Sequence, residues 1–118
     1  MTNYLLIALG GSIGALTRYL IASKLEPTES YFPLNILMVN VIGCFIIGIV
    51  IAIMDSNSQL FLFFSIGLLG SFTTMSAFST QALELLINQK YLIAITYITL
   101  TVLSCIIATV LAYYLFKT

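Results

Sequence analysis

Hydrophobic residues fall into four long blocks, from about Tyr4 to Ser23, Pro33 to Met54, Leu60 to Ile87 and Tyr91 to Phe116. Short polar segments separate them: Lys24 to Ser30 with Pro27, Asp55 to Gln59, and Asn88 to Lys90. A helix of about 20 residues crosses a hydrocarbon core of about 30 Å, so every block is long enough to span. Connections this short make sequential helices antiparallel. The pattern predicts one all-α transmembrane domain over residues 1–118, a small four-helix bundle. The first block has no basic n-region and no small-residue cleavage site, so it reads as a mature helix and not as a signal peptide.

Composition sharpens the class. Of 118 residues, 61% are hydrophobic and 7% charged, with four Lys/Arg balancing four Asp/Glu. Mean hydropathy is +1.15. A water-facing surface normally carries a coat of charge, which excludes a soluble enzyme. Zero net charge and no basic cluster exclude a nucleic-acid partner. There is no His, and Cys44 and Cys105 lie inside different predicted helices, where they read as small hydrophobes with no zinc or haem ligand set around them. No Ser/His/Asp set or glycine-rich phosphate loop appears, so no enzymatic activity is expected. Lys24 and Lys90 oppose Lys117 across the membrane, with Arg18 near the first pair. So slight a bias implies insertion in both orientations, or a weak preference for both termini outside. A bundle this small has little interior of its own, which favours an oligomer, most simply a dimer.

The third block is the informative one. At about 28 residues it would extend roughly 42 Å as continuous helix, longer than one crossing needs. Its middle, residues 67–80, holds Gly67, Gly70 and a run of Ser and Thr, poor helix formers whose side chains compete for backbone hydrogen bonds. The block is expected to break in mid-membrane. Such a break frees carbonyls that hold a cation and creates a new helix N-terminus facing anions. The competing explanation is close helix packing through small residues.

Elsewhere, Gly10, Gly11, Gly14 and Ala15 read as a packing face. Arg18 either snorkels to the interface or lines an anion vestibule. Asn40, the sole amide near the middle of the second helix, is either an inter-helix tie or a donor to a passing ion. Tyr97, Thr101 and Cys105 share one stripe at i, i+4, i+8, with Ser104 beside them. Their hydroxyls either bond carbonyls one turn back or form a ladder of donors. Glu84 reads as an interfacial or vestibule charge, and Asp55 as an ordinary helix terminus. No carboxylate occupies the centre of a predicted helix, whereas proton-coupled exporters need an ionisable group there. What remains is a passive pathway for a small ion or neutral solute.

Three ordered motifs resemble one family, the bacterial CrcB/Fluc fluoride channels. They are residues 10–19, with glycines followed by Arg18-Tyr19; residues 33–48, with Asn40, Gly43 and Gly48; and Gly70-Ser71-Phe72-Thr73-Thr74-Met75-Ser76-Ala77-Phe78. The resemblance covers essentially the whole chain. It implies a dual-topology antiparallel dimer in the bacterial plasma membrane, passing fluoride out of the cytoplasm and so relieving its toxicity. It also implies a structural Na⁺ held by the backbone carbonyls of Gly70 and Thr73 of both subunits. The fluoride pore would be lined by Asn40, Met75, Ser76, Phe78, Tyr97 and Thr101, with Arg18 in the vestibule. Met75 stands where the family has a second pore phenylalanine, Asn35-Ile36 where it has Gly-Thr, Ser71 where it has Gly and Ala77 where it has Thr. These departures leave two assemblies open, a homodimer and one subunit of a heterodimer with a paralogous chain. A small multidrug-type exporter and a non-transporting membrane scaffold are the rival classes.

Overall fold

The computed structural model describes residues 1–26 and 31–118, so residues 27–30 of the first polar connection, with Pro27, lie outside it. Four helical spans are present, and no strand occurs among the described residues. The first helix is Thr2–Lys24 and the second Leu34–Ile53. The third span, Gln59–Ile87, is composite. Its N-terminal limb runs through Gln59–Phe61, a π-helical stretch Leu62–Leu69 and a last turn Gly70–Phe72. Its C-terminal limb is Met75–Ile87. The fourth helix is Tyr91–Phe116. All four spans are long and apolar enough to cross a membrane, and the chain is a multi-pass membrane protein.

Two compact devices make the sharp reversals. After the second helix, the Asp55 carboxylate accepts from Asn57 N–H at 3.0 Å, and Ser58 Oγ then caps the next helix by accepting from Phe61 N–H at 3.1 Å. Asp55 therefore works in the turn and not inside a helix. Between the third and fourth spans, Gln89 takes a left-handed φ of 59°. Lys90 N–H reaches the Leu85 carbonyl at 2.8 Å and Gln89 N–H the Leu86 carbonyl at 3.1 Å, closing the helix end as a Schellman motif.

The first helix lies against the N-terminal limb of the third span through small residues. A Cβ on Gly10 would come within 2.5 Å of the Phe63 carbonyl oxygen and 3.1 Å of Gly67 Cα, and one on Gly14 would strike the Leu68 carbonyl. The small-residue face foreseen on the first helix is thus a packing face, and only Gly permits this approach. Ser71 Oγ, placed over the same seam, lies 2.8–3.1 Å from the carbonyls of Gly11, Gly67 and Leu68. The second helix packs on the fourth, where Gly48 meets Thr109 and Ala112, and Thr109 Oγ1 donates to the Cys44 carbonyl at 2.9 Å.

Two apolar clusters flank the break. One gathers Ile36, Leu37, Phe78, Ala82, Leu85, Ala94 and Tyr97; the other Val39, Val50, Leu69 and Phe72. Many large apolar residues remain outside both, among them Leu5, Leu92, Ile95, Ile107 and Leu115. That coat suits a surface turned toward lipid or toward another apolar subunit.

Candidate functional site at the helix break

The third span opens at two residues. Thr73 (φ −75°, ψ 151°) and Thr74 (φ −147°, ψ 117°) are both extended. Both glycines of the limb, Gly67 and Gly70, precede the break and remain helical, so the Thr pair and not the glycines marks the gap. Extended backbone buried in a membrane needs partners for its polar groups, and Asn40 of the second helix supplies both. Its Oδ1 accepts from Thr74 N–H at 2.8 Å, and its Nδ2 donates to the Thr74 carbonyl at 3.2 Å. Asn40 and Thr74 are both buried. Thr74 also caps the C-terminal limb, its Oγ1 accepting from Ala77 N–H at 3.1 Å and lying 3.0 Å from Ser76 Oγ.

This clamp changes what the limb ends offer. In a continuous helix Thr74 N–H would bond the Gly70 carbonyl four residues back; here it bonds Asn40 instead. The Gly70 carbonyl loses that partner at a helix C-terminus, where the macrodipole favours positive charge. Gly70 is exposed and Thr73 half-buried. Among the described residues no three His, Cys, Asp or Glu side chains converge. The donor set at the break, backbone carbonyls alone, is that of a hard monovalent cation and fits Na⁺.

A cavity of about 300 Å³ opens beside the break, lined by Asn40, Cys44, Thr73, Thr74, Met75, Phe78, Thr101 and Cys105 with Val102 and Ile106. Phe78 is buried in its wall, whereas Met75 stands at the rim, 72% exposed. Thr101 is 5% exposed, and its Oγ1 has no hydrogen-bond partner among the described residues. A buried, unpaired hydroxyl is costly in an apolar setting. Across the break lies a second cavity of about 520 Å³, and Thr74 borders both. Its walls carry half-buried Arg18, together with Glu26, Ser76, Thr80, Gln81 and Glu84. Among the described residues Arg18 forms no ion pair, so its charge is available to the cavity.

The fourth-helix stripe splits three ways. Ser104 Oγ bonds the Leu100 carbonyl one turn back, the ordinary fate of a membrane hydroxyl. Tyr97 is fully buried and borders neither of these two cavities; its OH donates to Gln81 Oε1 at 2.8 Å. Of these three hydroxyls, that of Thr101 is left without a partner among the described residues. The structure therefore gathers Arg18, Asn40, Thr73, Met75, Ser76, Phe78 and Thr101 around the break, with Gly70 at the limb end and Tyr97 behind the wall.

Sequence reasoning passed over Gln81 and Thr109. Gln81 was detectable: Thr74, Phe78 and Gln81 follow i, i+4, i+7 spacing and share one helix face. Thr109 carries no comparable signal, because its tie to Cys44 joins residues 65 positions apart.

A sequence model described as "CrcB-like protein, Camphor Resistance (CrcB)" matches residues 5–113. Curated relatives carry the name "Fluoride-specific ion channel FluC". One from Histophilus somni (strain 2336) is 37% identical over 120 residues, covering 98% of this chain and 94% of its own length. One from Shewanella sp. (strain W3-18-1) is 43% identical over 110 residues, covering 90% and 89%. A third, from Acinetobacter baylyi, is 39% identical over 113 residues, covering 93% and 90%. With a family match spanning nearly its entire length and relatives this similar end to end, the chain belongs to the CrcB family.

Proposed function

We propose that this protein is a fluoride-selective channel of the plasma membrane, passing fluoride passively out of the cytoplasm and so relieving its toxicity. The observation that carries the reading is the orphan Thr101 hydroxyl, buried in the wall of a half-open cavity that also holds Asn40 and Phe78. A fluoride ion shedding water needs compact donors in a low-dielectric passage. The Thr101 O–H and the second N–H of Asn40 supply two, and the positive edge of the Phe78 ring adds a third. Arg18 would gather anions in the adjoining cavity, and Ser76 stands between that cavity and the break.

The working unit is an antiparallel dimer, in which a second subunit closes the open side of the cavity where Met75 is exposed. A Na⁺ held by the Gly70 and Thr73 carbonyls of both subunits would supply fixed positive charge at the dimer centre and offset the cost of an anion nearby. Asn40 contributes by diverting the Thr74 N–H, which leaves the Gly70 carbonyl available.

Purified protein in liposomes loaded with fluoride tests this. Rapid fluoride loss with chloride retained is the expected result; equal release of both ions, or no release from well-folded dimers, overturns the self-sufficient channel. The exposure of Met75, a thioether without a ring edge to offer, favours one second reading. In it the chain pairs with a paralogous subunit that brings a phenylalanine to the same rim. Flux that appears only on co-reconstitution with such a subunit would establish it.

A further inference from the structure

Gln81 of the third span sits in a chain of side-chain hydrogen bonds whose polarity is dictated by backbone. Asn35 Oδ1 accepts from Ile36 N–H at 2.9 Å, and Asn35 Nδ2 donates to the Ala22 carbonyl at 3.4 Å. A backbone N–H only donates and a carbonyl only accepts, so the Asn35 amide has one orientation. Its Oδ1 lies 3.1 Å from Gln81 Nε2. Since Oδ1 cannot donate, Gln81 must present its nitrogen there, which turns its Oε1 to the Tyr97 hydroxyl at 2.8 Å. Tyr97 is thereby committed as a donor to Gln81 and has no proton left for a passing anion.

Gln81 is not fully spent. Its Nε2 carries two protons, and one reaches Asn35. The residue is half-buried and borders both the cavity of about 520 Å³ that contains Arg18 and a third of about 250 Å³ at the same end of the bundle. We infer that Gln81 is an anion-binding donor of the pathway, offering its uncommitted amide N–H to fluoride between Arg18 and the helix break. Asn35 is the positioning residue that holds the amide in that orientation, and the Tyr97 hydroxyl only follows it. The assignment rests on the fluoride-channel reading and moves the donor role from Tyr97 to Gln81. Tyr97 contributes through its ring, 5.2 Å from that of Phe78.

Fluoride efflux from liposomes compares wild type with five variants. Gln81→Met removes the amide, and Gln81→Glu keeps the acceptor for Tyr97 while removing every N–H; both should slow efflux about tenfold or more, the scale of one lost bond to a charged group. Tyr97→Phe should stay within about threefold of wild type. Asn35→Leu should slow efflux by an intermediate factor, with no further loss in the Gln81→Met background, because Asn35 acts through Gln81. Additive losses would reduce Asn35 to a structural role. Wild-type efflux from Gln81→Met and Gln81→Glu, or its loss in Tyr97→Phe, overturns the assignment while the channel reading stands. A second measurement needs no flux: the Gln81 side-chain amide signals of ¹⁵N-labelled protein, titrated with sodium fluoride against sodium chloride. One of the two amide protons should shift with fluoride alone, and a spectrum without that shift overturns the assignment. A wild-type protein that passes no fluoride overturns the self-sufficient channel instead.

Discussion

Polar residues enter the membrane at two seams of this molecule, and the two spend their hydrogen bonds differently. At the seam of the first helix with the third span, Ser71 is surrounded by three backbone carbonyls, and Gly10, Gly14 and Gly67 allow the backbones to touch. All polar capacity there is consumed by the protein itself. At the seam of the second and fourth helices with the break, Asn40 pairs both ways with Thr74 and keeps a proton, while Thr101 keeps its own. Satisfied polar groups act as adhesive in a bilayer. Unsatisfied ones beside a cavity still call for a partner, whether a water or an ion. Small residues and hydroxyls occur at both seams, so residue type does not separate packing from function; the count of unspent donors does.

Substitutions can break or sharpen this contrast. The largest effect should come from Gly14→Val, because the new side chain meets the Leu68 carbonyl, which cannot yield without moving the helix. Overpacking of this kind costs about 3 kcal/mol or more, and size-exclusion chromatography of detergent-solubilised protein should show loss of the folded species. Asn40→Ala comes next. It strands two buried backbone groups of Thr74 at about 1–3 kcal/mol each. Fluoride efflux should fall by at least about tenfold, together with a lower thermal midpoint. Thr101→Val removes a hydroxyl that bonds nothing among the described residues, so the thermal midpoint should hold or rise while efflux drops about tenfold. Ser71→Ala should do the reverse and least of all, losing about 0.6 kcal/mol of stability with efflux unchanged. A Ser71→Ala protein that folds well but conducts poorly would erase the distinction between the seams.

Much of the architecture was legible in the chain. The observed helix limits fall within two residues of the hydrophobic blocks, since a membrane span is set by length and apolarity, both local properties. The break in the third span was legible as a region, because residues 67–80 concentrate poor helix formers. Its position at Thr73–Thr74 was not, nor was the π-helical stretch Leu62–Leu69 before it. The break lies where Asn40, 34 residues earlier, can take both polar groups of one Thr. The hydroxyl stripe of the fourth helix shows the same limit. Sequence aligned Tyr97, Thr101 and Cys105 on one face, yet the donor of Tyr97 is taken by Gln81 and that of Thr101 by none of the described residues.

Sequence by itself determined the class of this protein, a four-span membrane bundle, because burying apolar length and omitting charge leave one solvent in which the chain is stable. It also set the family, through motifs that keep Gly, Asn, Thr and Phe in register. Tertiary structure alone decided which donors are free. A hydrogen bond joins atoms a few ångströms apart irrespective of their distance along the chain, and each proton can be given only once. The Ile36 amide at one end of a side-chain chain therefore fixes which way Gln81 faces at the other.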